Sequence, residues 1–274
     1  MRLGYNTNGL QNHRLDDALR LLADHGYAAV ALTPDVCHLD PYRSTPGEVE
    51  AIGALLARLR LRVVIETGAR FVLDPTCKHA PTLMARDPQA RAKRLDYYSR
   101  CAALGRDLGA EVVSFWAGVD PEPTADSFAW LCEGVAATVS LVRAMGLRPA
   151  LEPEPGMAIE TCAQYAALVD ALGAEAPELC LDVGHLYVTR EGSAAAIIAA
   201  FGARLAQVHL EDMRLGVHEH LPPGEGDVDF AAVATALDAV GYAGNVCFEL
   251  SRSSHAAPDM LRRCRETWLA AVRA

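Results

Sequence analysis

A chain of 274 residues, 51% hydrophobic and 22% charged, can bury a substantial core as one large domain or two small ones, and it is not a disordered sequence. Its formal net charge of −10 counts against a nucleic-acid backbone or an anionic membrane as partner, though not against a locally basic pocket. Eight cysteines without a C-x-x-C pair, an N-terminal MRLGYNTNGL without a long apolar core, and no apolar run of membrane-spanning length point to reduced thiols and a cytoplasmic protein.

Arg2–Asn6 (RLGYN) reads as a first strand, followed by a helix from about Leu15 to His25 with Leu15, Ala18, Leu19 and Leu22 on one face. Ala28–Leu32 is the second strand, and Ser44-Thr45-Pro46 with Glu48 behind it announces a helix to about Arg60. Leu61–Glu66 is the third strand. The long loop after it, Thr67–Arg86, holds Arg70, Lys78 and His79, and its length predicts a lid over a functional site. A helix from about Pro88 to Leu108 leads to the fourth strand, Glu111–Phe115, which ends at Trp116; its helix covers about Ala125–Met145. Pro149–Leu151 carries the fifth strand into Glu152-Pro153-Glu154-Pro155-Gly156, with a helix beginning near Thr161. Glu178–Leu181 is the sixth, ending Asp182-Val183-Gly184-His185 before a helix near Ser193–Phe201. Leu205–Leu210 is the seventh, followed by a Gly- and Pro-rich loop and the helix Phe230–Val240; Asn245–Phe248 is the eighth, ending at Glu249, and the last helix is about Pro258–Val272.

These are eight strand–helix units without a composition break or linker. Apolar strands of continuous rather than alternating pattern suit burial on both faces, as a parallel sheet requires. The expected fold is therefore α/β, a (β/α)8 TIM barrel formed by residues 1–274 as a single domain. A doubly wound open sheet is the alternative, and it fits less well because strand one is followed by NTNGLQN rather than a Gly-rich nucleotide turn.

Barrel enzymes carry their sites where the strands end. The acidic and imidazole residues at those ends are Glu66, Glu152, Asp182, His185, His209 and Glu249. Closure brings strands five to eight around one mouth, so Glu152, Asp182, His209 and Glu249 converge as an O,O,N,O set. Three carboxylates that close repel one another in a partly dry site unless a cation neutralises them. One divalent metal held by these four residues is the expectation. His218 and His220 follow in the stretch QVHLEDMRLGVHEHLPPGEGDVDF, where they, His209, Glu211 and Asp212 fall within a dozen residues and offer the imidazole and carboxylate groups that divalent ions take.

The runs LEPEPG (Leu151–Gly156), LDVGH (Leu181–His185), VHLED (Val208–Asp212), HLPPGEGDVDF (His220–Phe230) and FEL (Phe248–Leu250) resemble, in order, the xylose isomerase-like TIM-barrel superfamily. That group includes sugar-phosphate isomerases and epimerases, ketose 3-epimerases, inosose dehydratases, hydroxypyruvate isomerases and endonuclease IV-type repair enzymes. The resemblance implies one divalent ion, commonly Mn, Mg, Co or Zn, on Glu152, Asp182, His209 and Glu249. It places His185 where the epimerases use a His against a substrate oxygen, and His220 where ketose epimerases carry a substrate-binding Arg. Glu152 and Glu249 would act as acid and base on a ketose, keto-acid or inosose through an enediolate. The alternatives are a phosphoester hydrolase of the repair-enzyme branch and an inosose-type dehydratase; that branch places a ligand pair before its Gly-x-Gly turn much as His218 and His220 stand here, so a second metal on His185, His218 and His220 is left open.

Around this core Trp116 is placed either against the apolar side of a sugar or in packing under the rim. Glu66, Glu154 and Arg214 are candidate contacts to substrate hydroxyls or anions, with a solvated charge as the plainer account of Arg214. The expected partner is a small molecule, not nucleic acid or membrane, and a homo-oligomer is left open.

Overall fold

The structure is a computed structural model and describes residues 1–273. Eight parallel strands close into a barrel: β1 (Arg2–Asn6), β2 (Ala29–Leu32), β3 (Arg62–Glu66), β4 (Val112–Trp116), β5 (Arg148–Glu152), β6 (Glu178–Asp182), β7 (Leu205–Leu210) and β10 (Asn245–Phe248). Each pairs with its neighbour in sequence order, and β10 pairs with β1, Tyr5 opposite Phe248, to complete the ring. β8 (Asp212–Arg214) and β9 (Val217–Leu221) form a separate antiparallel hairpin. The helices are α1 (Leu15–Asp24), α2 (Pro46–Leu59), α3 (Pro88–Leu108), α4 (Ser127–Ala144), α5 (Cys162–Leu172), α6 (Val183–Thr189), α7 (Ala194–Phe201), α8 (Phe230–Ala239) and α9 (Ala257–Ala271). Among the described residues no helix is long and apolar enough to cross a membrane.

Local chemistry explains where the helices start. Thr45 and Glu48 form a reciprocal capping box at α2, with Pro46 in the first turn, and Thr161 and Gln164 do the same for α5. Asp87 caps α3 and Pro88 opens it. Leu15, Ala18, Leu19 and Leu22 are the buried face of α1, as their spacing predicts.

Two layers of core result. The larger lies between strands and helices and includes Tyr5, Leu19, Ile65, Tyr97, Phe115 and Phe248. The smaller, Ala31, Val64, Val112, Ala150, Cys180, Ala206 and Cys247, fills the lumen. Lumen residues are small because eight strands leave little room inside. A Cβ on Gly4 would lie 2.4 Å from the Cys247 Sγ, so only glycine fits there.

Two elements differ from the sequence expectation. Residues 183–185, taken as the end of the sixth strand, open the short helix α6, Val183–Thr189. Asp182 creates it by accepting the His185 N–H at 3.0 Å in an N-cap. The Gly- and Pro-rich stretch after β7 is an ordered hairpin rather than irregular loop. Its turn uses Gly216 at φ 76°. The buried Asp212 carboxylate then accepts the N–H groups of Met213, Gly224, Glu225 and Val228 at 2.6–3.0 Å. Hydrogen bonds to a charged acceptor are each worth roughly 1.5–3 kcal/mol. Asp212→Ala is therefore expected to destabilise the protein by at least about 3 kcal/mol. Urea denaturation measures this, and a loss below about 1 kcal/mol would show that Asp212 does not pin the segment.

Candidate active site at the barrel mouth

The C-terminal ends of β5, β6, β7 and β10 deliver Glu152, Asp182, His209 and Glu249 to one point. Each offers a ligand atom, and these atoms lie within 4.8 Å of one another. All four residues are buried. The His209 Nδ1 stands 2.9 Å from the Glu152 Oε1 and 3.2 Å from the Glu249 Oε2, so the two glutamates meet at one imidazole nitrogen.

Neighbouring side chains hold both glutamates. The Trp116 indole N–H donates to the Glu152 Oε2 at 2.8 Å. Asn6 and Asn8 donate their amide N–H groups to the two oxygens of Glu249, each at 2.8 Å. Trp116 lines the cavity and packs on His79 in a T-shaped arrangement, centroids 4.9 Å apart. Asn6 and Asn8 escaped notice in the sequence, although Asn6 ends a barrel strand just as Glu66 and Glu152 do. The Cys180 thiol lies in the lumen 3.9 Å from His209.

Glu211 is a further buried carboxylate at this end of the barrel. It lies two positions beyond His209, on the same face by strand alternation. It is fully buried, and neither carboxylate oxygen has a hydrogen-bond partner among the described residues. Gly184 makes its space, since a Cβ there would sit 1.8 Å from the Glu211 Oε1. The Asp182 Oδ2 and His185 Nε2 are likewise buried and unpartnered. Buried polar atoms without partners are rare because each costs free energy. Their concentration beside an O,O,N,O donor set fits a divalent cation.

The electrostatics agree. Burial, and then Glu249, pushes Glu66 up to about 8. Burial raises Glu249 to about 7, with Glu152 adding to it against the pull of His209. Burial takes Glu154 to about 8 in spite of His185. Glu211 is pushed well above the carboxylate range by burial and then by Asp182. Burial opposes charge on His185, yet Asp182 and Glu154 hold its pKa up at about 9. Carboxylates crowded into a dry site resist ionising together, which is the condition a bound cation relieves.

His185, His218 and His220 form a second group whose ring nitrogens lie within 4.8 Å of one another. The Nδ1 atoms of His185 and His220 stand 3.0 and 3.1 Å from the carbonyls of Pro153 and Glu249. Such carbonyl contacts orient the ring and leave the other nitrogen for a ligand. Burial lowers His218 to about 4, with His185 and His220 contributing.

Glu66, Glu154, Trp116, His218, His220 and Glu249 all line a cavity of about 270 Å³ at the mouth. Arg214 does not line it. Its exposed side chain lies on the hairpin and donates from Nε to the Glu225 carbonyl at 3.3 Å, so its expected substrate contact is corrected to a surface role. The loop 67–86 is tied to α3 at residues 69, 79 and 81. The buried Arg94 guanidinium donates to the carbonyls of His79 and Pro81, and the Ala69 N–H donates to the buried Tyr97 hydroxyl at 3.0 Å.

Comparison with known proteins agrees with this geometry. L-ribulose 3-epimerase of Mesorhizobium japonicum is 30% identical over 191 residues, 66% of this chain. The matched region spans only 62% of that epimerase's own length. Inosose dehydratase of Erwinia tasmaniensis is 32% identical over 135 residues, 41% of this chain and 44% of that protein. Among solved structures, one of L-ribulose 3-epimerase superposes with a TM-score of 0.81 at 21% identity, covering 99% of this chain and 94% of that one. A zinc-containing IolI protein superposes with a TM-score of 0.78 at 18% identity over 99% and 98% of the two chains. The sequence model of the family described as xylose isomerase-like TIM barrel matches residues 19–271. With the closed eightfold barrel and the clustered strand-end ligands, that match makes this chain a member of the xylose isomerase-like TIM-barrel family.

Proposed function

We propose that the protein is a metal-dependent isomerase or epimerase of a small hydroxy-ketone: a ketose, a keto-acid or an inosose. The observation that carries the reading is the meeting of Glu152 and Glu249 at one His209 nitrogen within a four-residue donor set. Similarity to an L-ribulose 3-epimerase and to inosose dehydratases supports it.

Glu152, Asp182, His209 and Glu249 would hold one divalent ion; Mn, Mg, Co and Zn all accept such a set. The ion would polarise the substrate carbonyl and offset the charge of the enediolate. The chain's own residues move the proton. One glutamate removes it from the carbinol carbon, and the other returns a proton to the opposite face for epimerisation or to the neighbouring carbon for 1,2-isomerisation. Trp116 on Glu152, and Asn6 and Asn8 on Glu249, fix the direction in which each carboxylate presents its lone pairs. His220 lines the mouth as a donor to a substrate oxygen, with Glu66 and Glu154 beside it as hydroxyl contacts, and His185 is buried next to it.

A dehydratase would share the first proton abstraction and then expel hydroxide. The relatives above do not favour a phosphoester hydrolase. The clustering of His185, His218 and His220 keeps a second ion as a reading of its own, and metal analysis separates one equivalent from two.

The test is turnover in deuterium oxide followed by NMR. Epimerisation or isomerisation by this route places solvent deuterium on a substrate carbon. Product formation without deuterium uptake would indicate a hydride shift and withdraw the acid–base roles of Glu152 and Glu249.

A further inference from the structure

The chemistry above gives no part to the wall beside Trp116. His79 lines the same cavity as Glu66, Glu154 and Glu249, and it comes from the loop after β3 rather than from a strand end. Its ring meets the Trp116 ring in a T-shaped contact, 87° between planes and 4.9 Å between centroids. The Trp116 indole N–H in turn holds Glu152 at 2.8 Å. A substrate with its reacting carbons at Glu152 that extends along the indole therefore brings its far end to His79.

The loop holds this imidazole in one pose. His79 has φ 65°, left-handed backbone that a residue with a Cβ adopts only when its surroundings impose it. Its N–H donates to the Arg70 carbonyl at 2.7 Å, and its carbonyl accepts from the buried Arg94 guanidinium. The ring Nδ1 contacts the Gly68 carbonyl, and a Cβ on Gly68 would lie 3.3 Å from the Trp116 ring, so the loop backbone runs close against the indole. A carbonyl oxygen only accepts, so Nδ1 carries the proton and Nε2 of the neutral ring keeps its lone pair. Burial, and then Lys78 beside it, lowers His79 to about 4, which leaves the ring neutral at physiological pH. The Nε2 has no protein partner among the described residues. Its cationic neighbours offer only donors: Lys78 lines the cavity, and Arg70 is held by Asp35 at 3.2 Å. The group that gives a hydrogen bond to an imidazole lone pair and takes one from an ammonium is a hydroxyl; a carboxylate has no proton to give.

We propose that His79 binds a hydroxyl of the substrate at the end remote from the reacting carbons, with Nε2 accepting that hydroxyl's hydrogen, and so discriminates between substrates that carry it and those that lack it. The proposal rests on the isomerase or epimerase reading of the floor. Because Trp116 touches both His79 and Glu152, the contact also sets the register of the reacting carbons against the base.

The experiment measures deuterium uptake by L-ribulose, D-fructose and scyllo-inosose with metal-loaded enzyme, and by analogues of the best of them that each lack one hydroxyl. The wild type should lose about tenfold in kcat/KM on one analogue deoxygenated away from the reacting carbons, as expected for one neutral hydrogen bond. His79→Asn tolerates left-handed backbone and puts an amide N–H where Nδ1–H stands, but leaves nothing at Nε2. It should lose about tenfold on the full sugar, chiefly through KM, and nothing on that analogue, so the preference disappears. His79→Gln, whose amide oxygen reaches the Nε2 position, should recover part of it. A role confined to holding the loop would instead slow both substrates alike. Such a parallel loss, or a preference unchanged in His79→Asn, overturns the proposal and leaves the enediolate reading standing. Absence of deuterium uptake from all three sugars overturns the enediolate reading instead. Calorimetric titration of the same sugars and their deoxy analogues into wild type and His79→Asn then decides His79 separately. Weaker binding of the full sugar alone by the variant upholds the proposal, and equal affinities, or no binding, refute it.

Discussion

Glu152→Gln and Glu249→Gln should each keep the barrel and lose carbon–deuterium exchange by about two to four orders of magnitude, the usual worth of a positioned general acid or base. Glutamine matches glutamate in shape but cannot accept the proton. At position 152 the Trp116 indole can still donate to the amide oxygen, so little should shift. Position 249 is less tolerant, because Asn6 and Asn8 donate to both carboxylate oxygens and an amide nitrogen would face one of those donors. Glu249→Gln should therefore also cost some stability, whereas Glu152→Gln should cost less. Both variants will bind metal more weakly, so rates are compared at saturating metal. The measurements are deuterium uptake by NMR and thermal unfolding by circular dichroism. Retention of more than about a tenth of wild-type exchange by either variant would remove that residue from the proton-transfer step.

Chelation is expected to abolish activity and to lower the melting temperature. A ligand present at a hundred times its dissociation constant stabilises the folded state by about 2.7 kcal/mol. For a protein of this size that corresponds to a shift of roughly 5–10 °C. The physical cause is the crowding of Glu152, Asp182 and Glu249, joined by Glu66 and Glu211, in a buried volume where repulsion is weakly screened. His209→Ala should reduce the metal content of purified protein, measured by mass spectrometry, because it removes the one nitrogen of the set. Unchanged metal content, or a melting temperature indifferent to chelator, would show that these residues do not form the metal centre.

The fold and the four-residue donor set were both legible in the sequence. Continuous apolar runs alternating with amphipathic segments specify eight buried parallel strands, and β1, β7 and β10 begin and end where those runs do. The rule that barrel sites lie at strand ends selects Glu66, Glu152, Asp182, His185, His209 and Glu249 from 35 acidic residues and nine histidines, because it needs only strand boundaries, and closure of strands five to eight narrows these to the donor set.

What the tertiary structure alone decided concerns contacts between segments distant in the chain. Asn6 and Asn8 reach Glu249 across more than two hundred residues, and no local pattern announces such a pairing. Glu211 stands near the histidines in the sequence, but only the fold shows that Gly184, on another strand's exit, leaves the space it occupies. Arg214 and Arg70 are alike as sequence, each an arginine in a loop after a barrel strand. One lies outside on the hairpin, and the other is turned to the mouth by Asp35, Tyr97 and Arg94. Hydrophobic periodicity is a property of neighbours along the chain, so it reveals the barrel. The direction of a polar side chain depends on partners from other strands and helices, which only closure of the barrel supplies.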